Sequence, residues 1–305
     1  MIYLVTGGSG SFGIEFTTQM LGSGHTLRIY SRGEHRQEEM ARRFGSHPSL
    51  RFFVGDVRDS VRLRRAMEGA DTVVHAAALK IVPTAEYNPV EAVKTNVMGA
   101  INVINAAIDC GVEKVLAVST DKAVYPINLY GATKLVSEKL FIQANAYTGT
   151  CNTFFSCVRY GNVVGSQGSV IPLWREQAKK GLITVTHPDM TRFWLTLQAG
   201  VQFALYCIGI MKGGEIFVPK VKSNPITRLA KITAPDAEID YTGIRPGEKL
   251  HEVLITEEEV RHTDEFENYY MIRPEYQFRD VEYPKGRPLP EGFVYSSERN
   301  PNNED

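Results

Sequence analysis

Compact apolar runs alternate with helix-periodic stretches through the first half of the chain. "IYLV" (2–5), "TLRIYS" (26–31), "LRFFVGD" (50–56), "DTVVHAA" (71–77) and "VEKVLAVST" (112–120) predict strands. Residues from Phe12 to about Leu21, the charged run after Gly33 and the long pattern from about Pro89 to Asp109 predict helices between them. A further helix is expected over 130–147, and "TFFSCVRYGNVVG" (153–165) reads as a strand feeding a loop. Alternating βα units predict an α/β fold, a Rossmann-like doubly wound parallel sheet. Beyond Gly165 short strands ("EIFVP", 215–219; "EIDYTG", 238–243) mix with short helices and Pro/Gly breaks. That pattern predicts a smaller C-terminal lobe over the carboxyl ends of the strands. The expected division is 1–165 for the main domain and 166–305 for the lobe, with some segments returning to the main domain. The polar tail "ERNPNNED" (298–305) is expected to fray.

Composition narrows the function classes. The 305 residues suit one large α/β domain with a second lobe. Lys plus Arg is 34 against 35 for Asp plus Glu, so no basic excess points to nucleic acid or an acidic membrane. Cys110, Cys151, Cys157 and Cys207 lack metal-ligand spacing, so no metal is expected. No apolar run reaches the ~18 residues that span a bilayer, and the start shows no signal-peptide pattern. A cytoplasmic protein, away from membranes, is the expectation.

"TGGSGSFG" (6–13) lies between a predicted strand and a predicted helix. Gly7 permits the tight turn, Gly10 lets backbone N–H groups approach a pyrophosphate, and Gly13 lets the helix pack close. Ser11 and Phe12 belong to the same turn, so this segment predicts a dinucleotide site. An NAD site usually ends its second strand with an acid; here Ser31 and Arg32 stand there, a hydroxyl and a guanidinium suited to a 2′-phosphate. NADP is therefore the expected cofactor. Asp56 and Val57 follow the third strand, where the adenine is expected. Ala76 and Ala77, in "HAAALK", are small enough to let a cofactor approach, and Lys80 closes that segment. Asn96 is a candidate cofactor contact that could bridge water or backbone near the site, with a structural role inside the helix as the other reading. His75 is given no catalytic role.

"STDKAVYPINLYGATK" (119–134) concentrates proton-handling groups. Thr120 ends a strand at the edge where α/β sites form. Tyr130 and Lys134 are four apart at the start of a helix and share a face. A free Tyr has a pKa of ~10. A nearby ammonium and a positive nicotinamide are expected to lower it, which would equip Tyr130 to move a proton as a hydride leaves an alcohol.

These two motifs resemble the extended short-chain dehydrogenase/reductase superfamily. The adjacent Asp121 and Lys122 resemble the acid–base pair of sugar-nucleotide 4,6-dehydratases, whose retaining members typically carry Asp-Glu there. "STDKA…PINLYGATK", "HAAALK…P.AEYNP", "VRYGNVVGS.GS", "MTRFW", "GGEIFVPK", "IRPGEKLHE" and "YSSERN" together are similar to the inverting UDP-N-acetylglucosamine 4,6-dehydratases that open pseudaminic acid synthesis. Ile81 departs from the His common in that family.

The resemblance implies a reaction. Tyr130 removes the 4-hydroxyl proton while carbon 4 gives its hydride to tightly bound NADP. Lys122 takes the carbon-5 proton, Asp121 protonates the departing 6-hydroxyl, and the hydride returns to carbon 6 with inversion at carbon 5. Lys122 must then shed its proton, with a pKa well below ~10.4, and Asp121 must hold one, above ~3.9, unless the buried pair shares a proton as a coupled unit. Lys134 and Thr120 complete the catalytic set. For the UDP-sugar, Lys80, Asn162, Arg192, Lys220, Arg245 and Glu248 are the candidate contacts, with an internal Glu248–Lys249 pair as the other reading. A homo-oligomer, dimer or hexamer, is implied. Competing readings are a UDP-hexose 4-epimerase of the same fold, which would not need the Asp121–Lys122 pair, and a non-catalytic NADP-sensing protein, which would tend to lose Tyr130 and Lys134.

Overall fold

The structure is a computed structural model that describes residues 1–149, 151–165, 170–277 and 281–303. The first half supplies strands β1 (Ile2–Thr6), β2 (Thr26–Ser31), β3 (Leu50–Val54), β4 (Thr72–His75), β5 (Lys114–Val118) and β6 (Phe154–Val158). They pair in parallel in the spatial order β3-β2-β1-β4-β5-β6. Between them run helices α1 (Ser11–Met20), α2 (Glu34–Phe44), α3 (Ser60–Met67), α4 (Val82–Tyr87), α5 (Pro89–Val93), α6 (Gly99–Asp109) and α7 (Leu129–Ala144). Helices cover the sheet on both faces, so the strands are near-continuous apolar runs: Leu4, Val5, Val73, Val74, Val115 and Leu116 are all fully buried. The strand order reverses between β1 and β4, which opens a crevice at their carboxyl ends.

The predicted helix over 89–109 is continuous but irregular. One π-helical turn, Lys94–Met98, separates α5 from α6 and buries Thr95 and Asn96. Such turns recur at functional sites because they re-aim side chains.

The remainder adds β7 (Asn162–Val164), α8 (Val170–Ala178), β8 (Leu182–Val185), β9 (Thr191–Thr196), α9 (Leu197–Ile210), β10 (Ile216–Pro219), β11 (Ser223–Pro225), α10 (Ile226–Thr233), β12 (Glu238–Tyr241), β13 (Val253–Ile255), β14 (Thr263–Glu265), β15 (Tyr269–Ile272), β16 (Arg287–Pro288) and β17 (Tyr295–Ser296). β11, β9 and β7 form one small sheet, and β8 pairs with β12. Trp174, Ile183, Val185, Met190, Ile226 and Ala230 give the lobe its own core. The chain does not cross into the lobe only once. Helix α9 packs on α1, and β10 pairs in parallel with β6. β15, β14 and β16 then extend the sheet to ten strands by antiparallel pairing. An open β6 edge would expose a row of unpaired backbone groups, and the returning strands cover it. Residues 166–169 of the "VRYGNVVGS.GS" motif, and 304–305 of the tail, lie outside the described residues.

A buried ion network fixes α7 to the sheet. Arg159, 2% exposed, follows β6 and forks onto the Glu138 carboxylate of α7, onto Glu259 at 2.9 and 3.0 Å, and onto the Leu254 carbonyl at 2.8 Å. Ser119 donates to the same Glu138 carboxylate at 2.7 Å, which ties the end of β5 to α7. Replacing Arg159 with Leu would strand two carboxylates and is expected to cost about 3–5 kcal/mol in denaturant unfolding. Burial raises the Glu259 pKa, but the charge and hydrogen bonds of Arg159 outweigh it and the net shift is downward. Its stabilisation is therefore complete above the unfolded value of about 4.3 and is lost as pH falls through the folded value. Wild-type protein should lose stability more steeply than Arg159→Leu below that pH.

Candidate active site

A single cleft of about 1290 Å³ runs along the carboxyl ends of the strands and under the lobe. Its nucleotide end is built from the β1–α1 turn. Gly7 has φ +67°, and a Cβ there would stand 2.9 Å from the Ala77 backbone. The β1 and β4 ends are thus in van der Waals contact, which requires Gly7 and small residues at 76 and 77. A Cβ on Gly13 would lie 2.1 Å from the Gly8 carbonyl oxygen, so this glycine serves helix packing and does not line the cleft. Gly10, Ser11, Phe12, Val57, Ala76, Ala77 and Lys80 do line it.

Ser31 accepts from the Ser9 hydroxyl at 2.8 Å and the Gln37 amide at 2.9 Å, which leaves its own proton for an anion. Arg32 is half exposed and 3.7 Å from Asp56. Asp56 also takes a bidentate grip from Arg58, at 2.9 and 2.7 Å. Burial raises its pKa, yet Arg58 and Arg32 bring it below the usual carboxylate value.

Asn96 is a correction as a direct cofactor contact, while the expected bridge to backbone near the site is present. It does not line the cleft. Its amide accepts from Leu79 N–H at 2.8 Å and donates to the Leu79 carbonyl at 3.0 Å and Thr133 Oγ1 at 2.9 Å. It clamps the backbone beside Lys80 to α7, and the π-helical turn aims it there.

The chemistry gathers where β5 ends. Thr120 caps the short 3₁₀ turn Asp121–Ala123, accepting from Lys122 N–H at 3.4 Å. Its hydroxyl donates to Asp121 Oδ1 at 2.8 Å, and Lys122 Nζ donates to the same oxygen at 3.1 Å. Asp121 Oδ2 is buried without a hydrogen-bond partner. Helix α7 starts at Asn128, whose Oδ1 accepts from Gly131 N–H at 2.7 Å and whose amide donates to the Gly247 carbonyl at 2.8 Å. That cap places Tyr130 and Lys134 on the cleft wall.

One expectation about proton affinity is overturned, that for Lys122. Burial raises the Tyr130 pKa, and Lys122 and Thr120 pull against it without prevailing. Lys134 is buried and its own pKa is depressed by that burial, against Cys157 and Glu138. Burial likewise pulls Lys122 down, but the carboxylates of Asp121 and Glu252 outweigh it and the net shift is upward. Lys122 is therefore an ammonium, contrary to the neutral amine expected. Lys80 is depressed by burial and by the Lys122 charge.

The lobe residues divide. Asn162 lines the cleft, and its buried Oδ1 has no partner. Arg245 is more than half exposed at the rim, 3.8 Å from Glu248, and both line the cleft. Glu248 therefore pairs with Arg245, while Lys249 pairs with Glu252 at 3.5 Å; the Glu248–Lys249 pair does not form. Arg192 lines the cleft, but its NH1 and NH2 groups bond the Thr191, Leu250 and Lys249 carbonyls at 2.7, 3.0 and 2.8 Å. Three of its five N–H donors are thereby committed, and Nε–H and the second NH2 proton remain on the edge that a phosphate could use. Lys220 is the second correction: it lies outside the cleft, donates to Glu265 at 2.8 Å and sits over the Tyr270 ring. Sequence reasoning missed Tyr160, Trp194 and Glu252, which line the cleft, since their neighbours come from distant segments.

Among the described residues no cluster of His, Cys, Asp or Glu could hold a metal ion, and no helix is long and apolar enough to cross a membrane.

The reversed strand order, the glycine turn at that reversal and the Tyr130–Lys134 helix define an extended short-chain dehydrogenase/reductase. The chain belongs to the family described as "Polysaccharide biosynthesis protein", whose model matches residues 3–274. It is 49% identical to a UDP-N-acetylglucosamine 4,6-dehydratase (inverting) of Campylobacter jejuni, over 98% of this chain and 92% of that one. It is 44% identical to a UDP-glucose 4-epimerase of Rickettsia conorii, over 92% of this chain and 85% of that one. Among solved structures, Pen from Bacillus thuringiensis superposes with a TM-score of 0.91 at 36% identity, covering 97% of this chain and 92% of Pen. DesIV, the dTDP-glucose 4,6-dehydratase of Streptomyces venezuelae solved with NAD, gives 0.73 at 25%, covering 82% and 87%.

Proposed function

We propose that the protein catalyses the inverting 4,6-dehydration of UDP-N-acetylglucosamine, with NADP as the regenerated cofactor. The observation that carries this reading is the Asp121–Lys122 pair, hydrogen-bonded at 3.1 Å in the same cleft as Tyr130. Redox at carbon 4 alone needs only Tyr130 and its supports. An acid and a base beside it supply what loss of water requires. The Campylobacter jejuni relative supports the same assignment.

The residues fit a nicotinamide dinucleotide. The Gly7–Ala77 contact leaves the backbone open to a pyrophosphate, and Ser31 offers a free proton beside Arg32 where a 2′-phosphate would lie. The chemistry such a cofactor supplies when bound is reversible hydride transfer. The pull of Lys122 and Thr120, joined by the positive charge that a bound nicotinamide would bring, would lower the Tyr130 pKa so that its phenolate takes the 4-hydroxyl proton. Moving one proton from Lys122 Nζ to Asp121 Oδ1 turns the ion pair into a neutral amine and a neutral acid together. The amine then takes the carbon-5 proton, and the acid protonates the leaving 6-hydroxyl, so one water departs. Three buried acceptors without hydrogen-bond partners, on Asp121, Asn162 and Glu252, suit the hydroxyls and amide of a sugar. Arg245 at the rim suits the diphosphate. A cytoplasmic homo-oligomer completes the reading, with exposed Tyr87, Val90 and Val136 as apolar surface for self-association.

The test is proton NMR of protein, NADP and UDP-N-acetylglucosamine in deuterium oxide. The expected product has a carbon-6 methyl, a 4-keto centre, deuterium at carbon 5 and the arabino configuration. Retained configuration would overturn the roles given to Asp121 and Lys122. A product that keeps its 6-hydroxyl would assign the chain to the 4-epimerases.

A further inference from the structure

Glu252 is 2% exposed, lines the cleft and moves no proton in the reaction as derived above. Its Oε1 stands 3.2 Å from Lys122 Nζ and 4.0 Å from Arg192 Nε, and its Oε2 stands 3.5 Å from Lys249 Nζ. Oε2 makes no hydrogen bond. The backbone that carries it is pinned on both sides. Glu252 N–H donates to Ser297 Oγ at 2.9 Å, and Ser297 N–H returns a bond to the Glu252 carbonyl at 2.8 Å. Ser297 Oγ also meets Thr191 Oγ1 at 2.8 Å. The "YSSERN" segment near the end of the chain, which the reaction did not account for, is what fixes this carboxylate. Lys249 Nζ reaches past it to the Val124 carbonyl at 2.5 Å, which holds the far end of the Asp121–Ala123 turn.

We infer that Glu252 is a positioning residue for the dehydrating pair: its carboxylate tethers the Lys122 amine beside Asp121 from the lobe side of the cleft. The inference rests on the proposed role of Lys122. A buried carboxylate is costly unless paired, and here it is shared among three cations that a single loop residue could not otherwise collect. Lys122 is faced by Asp121 and Tyr130 from the main domain, by Glu252 and Arg192 from the lobe, and by the charge of Lys80. Glu252 is faced by Lys122, Arg192 and Lys249. Of the two carboxylates on Lys122, Asp121 is its chain neighbour and moves with it. Glu252 alone ties it to the opposite wall.

The experiment is Glu252→Gln, with Glu252→Asp as the conservative partner, read in two ways. First, the Lys122 amine is titrated by NMR of lysine-labelled protein, a readout that needs no turnover. Glu252→Gln should titrate about one pH unit or more below wild type, since an opposite charge this close shifts a partner by that much. Glu252→Asp should fall between the two. Secondly, the basic limb of kcat/KM for dehydration, where the pair loses its one shared proton, should move down by a similar amount, with kcat reduced about tenfold or more by the loosened amine. An unmoved Lys122 titration in folded Glu252→Gln overturns the inference. Should Glu252→Gln fail to fold, wild-type titration and kcat in Glu252→Asp would overturn it equally. A wild-type protein that yields no dehydrated sugar, yet shows the titration shift, refutes the proposed function and leaves the tether standing.

Discussion

Lys122→Arg is expected to abolish dehydration while leaving the protein folded. The guanidinium keeps a cation between Asp121 and Glu252, which stand 3.1 and 3.2 Å from Lys122 Nζ. Both carboxylates stay paired and buried, so the large penalty for stranding a charge is avoided. A guanidinium does not give up its proton in a protein, so it cannot become the base at carbon 5. The rate of methyl formation should fall on the order of 10³-fold, within the range of a lost general base. Deuterium should no longer enter carbon 5. The checks are NMR turnover in deuterium oxide and a melting curve. Turnover close to wild type would remove Lys122 from proton transfer. A collapsed melting temperature would show that the cleft cannot house the larger head group, and a smaller replacement would then be needed.

The second large effect is expected from Gly131→Ala. In an exposed helix this change usually gains about 1 kcal/mol. Here the new Cβ would stand 2.1 Å from the Lys122 carbonyl oxygen and 3.2 Å from Pro126. Neither side can yield cheaply. The helix is held by the Asn128 cap and by its bond to Gly247, and the turn by Thr120 and by the Lys249 bond to Val124. The expected outcome is a loss of about 1–3 kcal/mol from overpacking. A loss of about 10²-fold in kcat should accompany it, as the dehydrating turn is displaced from Tyr130. Denaturant unfolding and turnover of one preparation test both. A gain in stability would mean that the turn moves aside freely, and would contradict the rigid contact between α7 and residues 121–123.

Lys122 also shows where reading along the chain failed. Its adjacency to Asp121 made an acid–base pair legible, but that adjacency says nothing about a second carboxylate. Glu252 lies far along the chain and reaches the site only because Ser297 pins its backbone. Asp121 and then Glu252 together outweigh burial and turn the shift on Lys122 upward. Lys220 failed for the same reason, and the fixed partners of Arg192 were equally unannounced. A cation in a loop is marked by the sequence as a cation and nothing more. Its partners, backbone carbonyls for Arg192 and Glu265 for Lys220, are chosen by packing. Asn96 sat on a correctly predicted helical stretch, yet a π-helical turn decided where its amide points.

The sequence by itself determined the βα alternation, the glycine turn and the Tyr130–Lys134 spacing, because these depend on local conformation and on periodicities of two and 3.6 residues. It also placed Asp121 and Lys122 side by side. Only the tertiary structure decided that later strands return to close the β6 edge, that the lobe delivers Glu252 to Lys122, and which groups in the cleft carry protons. Those outcomes depend on burial and on charges brought together from separate segments, and both act through space over a few ångströms, whatever the distance along the chain.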